Sequence, residues 1–348
     1  MLSGCQRETA PPPAEEASRR IDALFAPFTE GVQPGAAVLV VKNGEIVHGK
    51  GYGYAELETR RPITPTTPFR LASVSKHFTA AAIMVLAGDG VLGYNDSIAR
   101  WLPGLEAYDG VTIRHLLTHT AGLPDYYDVI DTSSGMPTNA DTLDQLAAMA
   151  APVFAPGERW EYSNPAYEML PLIVEAASGS RFATFMQERI FVPAGMRQAA
   201  IFDETEPEIP GRAIGYEADG DGFKPNDYDP LNHIIGSGGM YASLEDLYHW
   251  DQALYGDAVL SRAALEAAWT PATLNGGEST DYGFGWRIEA RDGRRVVRHG
   301  GSWVGFRTHI ARWPEDRFTI VVLSNRADFD AEEHVDRVAD IWLGCVEP

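Results

Sequence analysis

Ser73 and Lys76 stand three positions apart in the run Ser73-Val74-Ser75-Lys76. On a helical turn that spacing sets a hydroxyl and an amine on one face, whereas neighbouring positions face apart. A serine hydroxyl is a weak attacking group at neutral pH and needs a base within hydrogen-bond reach. Lys76 can therefore serve Ser73, but not Ser75. Only four lysines occur in the chain, Lys42, Lys50, Lys76 and Lys224, so the pairing is not a by-product of a lysine-rich surface. The plainer alternative makes Ser73 a helix cap and Lys76 a solvated first-turn side chain. It leaves Lys76 unexplained, because a cation is disfavoured at a helix N-terminus.

Two further clusters carry the chemistry that such a pair needs. In Tyr162-Ser163-Asn164 a phenol sharing its proton toward Lys76 acts as general base on Ser73 and then as acid to the leaving group. Reference values near 10 for both side chains require proximity and burial to lower at least one of them. Asn164 precedes Pro165 and fits a helix N-cap with proline at the first helical position. In Arg298-His299-Gly300-Gly301-Ser302, expected at the end of a strand, adjacent glycines let another chain lie close. The backbone N–H groups of Ser302 and Ser73 are candidates for an oxyanion hole.

The elements that must position these residues follow from periodicity. Ile21, Leu24, Phe25 and Phe28 recur at helical spacing. Residues 36–41 and 45–51 read as strands joined by Asn43-Gly44, a strong hairpin signal. From about 73 to 270 the pattern is mainly helical, with helices expected at 73–88, 112–120, 141–150, 165–178, 181–190, 244–255 and 261–269. Strands return at 283–290, 294–299, 305–312 and 317–324, and a helix over about 331–343 closes the chain. Strands at both ends without βαβ alternation imply an α+β fold of two lobes: an antiparallel sheet of N- and C-terminal segments flanked by helices, with a mainly helical lobe, about 90–270, inserted. Residues 20–348 are expected to form this unit and 1–19 a disordered tail. The cleft is expected where the lobes meet.

Composition excludes several classes. With 348 residues, 45% of them hydrophobic, the chain can bury a large core. A formal charge of −21 argues against a nucleic-acid partner. No apolar run of membrane-spanning length occurs. The two cysteines, Cys5 and Cys345, do not make a disulfide framework. His115 and His119 share a helical face but lack an evident third metal ligand, so no metal or cofactor is expected. Leu2-Ser3-Gly4-Cys5 has the form of a lipoprotein box, which would make Cys5 a lipid anchor, residues 6–17 a tether and the cell envelope or periplasm the location; a meaningless disordered terminus is the other reading.

In order and spacing, Ser-x-x-Lys at 73, Tyr-x-Asn at 162 and His-x-Gly at 299 resemble the penicillin-recognising serine hydrolases, closest to the class C β-lactamase-like branch with its carboxylesterases, DD-peptidases and D-amino-acid peptidases. The segments 115–124 and 238–243 are similar to that branch too. The resemblance spans about residues 20–343. It implies a β-lactamase/transpeptidase-like fold, Ser73 as the acylated nucleophile, Lys76 and Tyr162 as the base pair, and Asn164 as a partner of substrate or of Lys76. It also implies His299 in place of the lysine of Lys-Thr-Gly and Tyr126 on the substrate wall. Histidine is mostly neutral at pH 7, and the net charge does not steer anionic antibiotics inward, so efficient β-lactamase action is not expected. The activity implied is cleavage of an ester or small amide; a D-amino-acid peptidase or D-Ala-D-Ala carboxypeptidase is the alternative, and a non-catalytic binding protein the competitor. The loop 126–139 is expected to help set specificity.

Overall fold

The computed structural model describes residues 12–344 except 128, 134, 150 and 204–207. Cys5 and the lipoprotein-like box lie outside the described residues. The first helix, α1 (Ala14–Phe25), begins inside the stretch expected to be a tail, and Ala17, Ile21 and Phe25 are buried.

Strands β1 (Ala36–Lys42) and β2 (Glu45–Tyr52) join β3 (Arg287–Arg291), β4 (Arg294–Trp303), β5 (Phe306–Trp313) and β6 (Phe318–Ser324) in one antiparallel sheet of order β3-β4-β5-β6-β1-β2. The two ends of the chain meet at its centre, where Val38 pairs with Val322 and Val40 with Ile320. The β1–β2 turn forms because Asn43 and Gly44 both take positive φ, 53° and 84°, as such a two-residue hairpin requires.

Alternation decides what each face meets. Val38 and Val40 of β1, with Ile320 and Val322 of β6, pack under α1 and the last helix, α5 (Ala331–Leu343). Leu39 and Val41, with Val321 and Leu323, face the opposite way into the larger core. Burying each such side chain stabilises the fold by about 2 kcal/mol. The centre of the larger core is α2 (Lys76–Gly88), buried without interruption from Lys76 to Leu86. Against it packs α3 (Asn164–Ser178).

Several expected elements differ in extent. The α-helix expected from 73 starts at Lys76, and residues 72–75 form a tight 3₁₀ turn. The helix expected over 112–120 is only Ile113–Leu117, because His119 takes a φ of 57° and breaks off the turn. The glycines of 300–301 lie inside β4, which runs on to Trp303, and not beyond its end. A three-stranded sheet of Phe69–Arg70, Met240–Ala242 and Ala200–Ile201 was not anticipated, since two- and three-residue strands are too short to show periodicity.

Candidate active site

The turn carrying Ser73 is held from two sides. Leu71 N–H donates to Met240 O at 2.8 Å, and Thr308 Oγ1 on β5 donates to Leu71 O at 2.7 Å. Between these anchors Ala72 adopts a φ of 48°, a left-handed conformation costing a non-glycine residue about 1 kcal/mol. The strained residue directly precedes Ser73, and such strain is common at functional sites. Gly301 explains how close β4 comes: a Cβ there would lie 2.3 Å from Leu71 O, 2.4 Å from Thr308 Oγ1 and 3.1 Å from Ser73 N. The close approach that a glycine allows is thus to the Ser73 turn itself.

Lys76 is fully buried. Its Nζ donates to Ser73 Oγ at 3.2 Å, Asn164 Oδ1 at 2.8 Å and the Ser237 carbonyl at 2.9 Å. Three acceptors suit three ammonium protons, and none of them is a carboxylate. Two are pure acceptors; only Ser73 can also donate. When Lys76 is neutral, its two remaining protons can stay on Asn164 and Ser237 while its lone pair takes the Ser73 proton. Asn164 is therefore not the helix cap: Ser163 is, accepting from Ala166 N–H at 3.2 Å. Capping by its neighbour leaves the Asn164 carboxamide free to face Lys76.

Tyr162 lines the same cleft as Ser73 and Asn164 and is 37% exposed. Lys76 Nζ lies 4.8 Å from the centre of its ring. The structure brings phenol, amine and hydroxyl together, but it is the amine that touches Ser73, while the phenol faces the cleft. His119 supports this arrangement. Its positive φ turns the imidazole inward, where Nδ1 accepts from Ser163 N–H at 3.1 Å and the ring packs 4.4 Å from that of Tyr162. Burial and the Lys76 charge hold His119 well below the usual histidine range, so it is neutral. His115 instead caps a helix start, Nδ1 accepting from Thr112 N–H at 3.1 Å; the two rings do not converge.

β3 pairs with β4 only as far as Arg298, so residues 299–303 offer the cleft a strand edge that β3 does not cover. A groove of about 970 Å³ runs from Ser73 past Gly300, Gly301 and Ser302 to Arg307 and Asp328. His299 borders this groove but is buried. Its Nδ1 sits 2.7 Å from Gly300 O, which only an N–H can satisfy, so Nε2 accepts from the Tyr282 hydroxyl at 2.8 Å. Burial first, then the Lys76 charge, pushes its pKa down to about 3. His299 is thus a neutral, fully engaged side chain and brings no cation to the cleft.

On the other side of Ser73 a narrower recess is lined by Arg70, Tyr127, Glu168, Leu231, Ile234, Ser237 and Trp303. Tyr126, expected on the substrate wall, is fully buried and donates to Glu168; the wall residue is Tyr127, which donates to Glu168 as well. Periodicity does not tell which of two adjacent loop side chains faces inward, and here Tyr126 does so while Tyr127 lines the recess. Glu168, Ser237, Tyr282 and the inward role of His119 also escaped the sequence. For Glu168 a signal existed, since it lies four residues after Asn164 and shares its helix face.

The family model described as Beta-lactamase matches residues 21–341. Penicillin-binding protein 4* of Bacillus subtilis is 38% identical over 339 residues, covering 92% of this chain and 75% of that one. A D-aminopeptidase of Brucella canis is 32% identical over 300 residues, covering 84% of this chain but only 56% of its own length. The octameric penicillin-binding protein homologue from Pyrococcus abyssi superposes with a TM-score of 0.81 at 27% identity, covering 95% of this chain and 77% of that one.

Proposed function

The chain belongs to the beta-lactamase family of serine hydrolases, and from that premise we propose that it cleaves esters or small amides through an acyl-enzyme on Ser73. The observation that carries the reading is Lys76, buried within hydrogen-bond distance of Ser73 and held otherwise by two neutral acceptors. In this reading Ser73 Oγ attacks the acyl carbon as its proton passes to the Lys76 amine. The tetrahedral intermediate then expels the alkoxide or amine, which takes a proton delivered through Tyr162. Water attacks the acyl-enzyme along the reverse path, returning the proton to Ser73. The Ser73 and Ser302 N–H groups are assigned to the oxyanion, and the Asn164 Nδ2 protons, with Oδ1 turned to Lys76, to a substrate carbonyl.

A second reading, a peptidase for D-amino-acid amides or peptides, is favoured by the size of the groove and by the charges of both signs that line it, Arg287, Arg307, Glu289 and Asp328. The similarity to a D-aminopeptidase supports it further. Neutral His299 speaks against efficient turnover of anionic β-lactams.

The test is a substrate panel of nitrophenyl acetate, D- and L-alanine nitroanilides and a chromogenic cephalosporin. Ester turnover is expected, with the cephalosporin at least about 100-fold poorer; a D-nitroanilide preferred over the ester would favour the second reading. Ser73→Ala is expected to abolish all of it, and undiminished turnover in that variant contradicts the proposal.

A further inference from the structure

A buried carboxylate stands directly behind the lysine. Glu168 is fully buried on α3, one turn beyond Asn164. Ser237 joins the two groups: its carbonyl accepts from Lys76 Nζ at 2.9 Å, and its hydroxyl donates to Glu168 Oε1 at 2.7 Å. Tyr126 donates to Oε2 and Tyr127 to Oε1. Three hydroxyl donors on two oxygens fit an ionised carboxylate, which only accepts, and charge-assisted bonds of this kind are the strong ones.

Such a group is costly. An ionised carboxylate at zero exposure is retained only where it is well paired and hydrogen-bonded. The fold could have satisfied Ser237 and the tyrosines with a neutral amide. Instead it keeps a negative charge one residue away from the cation that must exchange its proton, without letting the two touch. Direct contact would clamp the ammonium; a bridged charge biases it while leaving the third proton for Ser73.

We propose that Glu168 is a positioning residue whose charge, relayed through Ser237, sets the pH range over which Lys76 and Tyr162 accept the Ser73 proton. The inference rests on the proposed role of Lys76 as base. Within the narrow recess the described charged residues are Glu168 and Arg70. Arg70 is also buried, and among the described residues its hydrogen bond is one long contact from Nη2 to Asn232 O at 3.3 Å. Around Lys76 itself, His119 and His299 are kept neutral by burial, and burial keeps the Tyr167 phenol protonated. Tyr126 and Tyr127, whose hydroxyls also rise well above the usual tyrosine range, stay donors to Glu168. Burial raises the Glu168 carboxyl, while its three donors and the Lys76 charge pull it back. The net direction is upward, and it is the geometry, three hydroxyl donors on a group that only accepts, that assigns Glu168 the negative charge of this pocket.

The sign follows. Removing a negative charge makes a nearby ammonium or phenol release its proton more readily, so the base is available at lower pH. In Glu168→Gln the acid limb of kcat/KM for nitrophenyl acetate is expected to move down by about one pH unit. Relative to each protein's own plateau, the rate one unit below the parental midpoint then rises several-fold. Glu168→Asp keeps the charge on a shorter arm and is expected to hold the parental limb even where its plateau falls. A purely structural role predicts the reverse ranking, with the isosteric glutamine benign, the aspartate damaging and neither limb displaced; that outcome overturns the proposal. Should Glu168→Gln not fold, Ser237→Ala reads the same coupling. It keeps the carbonyl that Lys76 uses but removes one donor from the carboxylate, which then takes up a proton at higher pH, and the limb again moves down; an unmoved limb counts against the proposal. Failure of the underlying reading looks different, because turnover would then survive Lys76→Ala whatever Glu168 does.

Discussion

Two buried cations in this molecule are handled in opposite ways. Under the sheet, Arg312 on β5 is fully buried and bound directly to Asp251, on the helix α4 (Leu244–Ala253): Nε donates to Oδ1 at 2.7 Å and Nη2 to the Asp251 carbonyl at 3.2 Å, while Thr319 donates to the same carboxylate at 2.6 Å. In the cleft, Lys76 is equally buried, but its hydrogen bonds to described residues go to a hydroxyl, an amide oxygen and a backbone carbonyl. A guanidinium clamped to a carboxylate has no proton to trade, and this pair fastens α4 to the sheet. An ammonium held by neutral acceptors can give up a proton to a neighbour without breaking an ion pair. Burial alone therefore does not mark a functional cation; the chemistry of its partners does.

The sharpest way to break the contrast is to remove each cation's role in turn. Lys76→Met fills nearly the same space without the amine. Ester turnover is expected to fall at least about 1,000-fold, with thermal stability unchanged or raised, because a buried charge has been replaced by an apolar chain. Retained turnover would dissolve the distinction. At the other site, Asp251→Asn strands Arg312 without its counter-charge. Urea denaturation is expected to show a loss of about 3–5 kcal/mol, while turnover per folded molecule stays near the parental value. A stability loss below about 1 kcal/mol would show that the two cations are not so different.

The smallest effect concerns pH. The ordinary histidine value is 6.5, and His299 is lowered to about 3. His77, His119 and His309 are lowered too, chiefly by burial. Between those values the unfolded chain binds protons that the folded one refuses, so the contribution is fully present above pH 6.5 and is lost as pH falls toward 3. For His299 alone a unit of pH in that window corresponds to about 1.4 kcal/mol. Urea midpoints measured at pH 7 and pH 5 test this; equal midpoints contradict the neutral-histidine picture.

How much of this could be read from the sequence differs between the same two regions. The sheet was legible because period-2 alternation and Asn43-Gly44 are local signals, and the closing helix kept its expected bounds at 331–343. Residue type and order are what group Ser73, Lys76, Tyr162 and Asn164, and the structure brings these four together. What stayed hidden depends on contacts distant in sequence: the Ser237 carbonyl 161 residues from Lys76, and the Ser237 hydroxyl 69 residues from Glu168. His119 was unreadable for another reason, since its positive φ has no glycine to announce it. The exchange of Tyr126 for Tyr127 shows how an irregular loop hides which of two adjacent rings faces inward.

The central claim is that Lys76 makes Ser73 a nucleophile, and the rate at which a fluorophosphonate labels the folded protein, followed by peptide mass spectrometry, tests it most directly. The account predicts a single adduct, on Ser73, forming at least about 1,000-fold more slowly in Lys76→Met. An adduct elsewhere, or labelling of Lys76→Met at the parental rate, would contradict it.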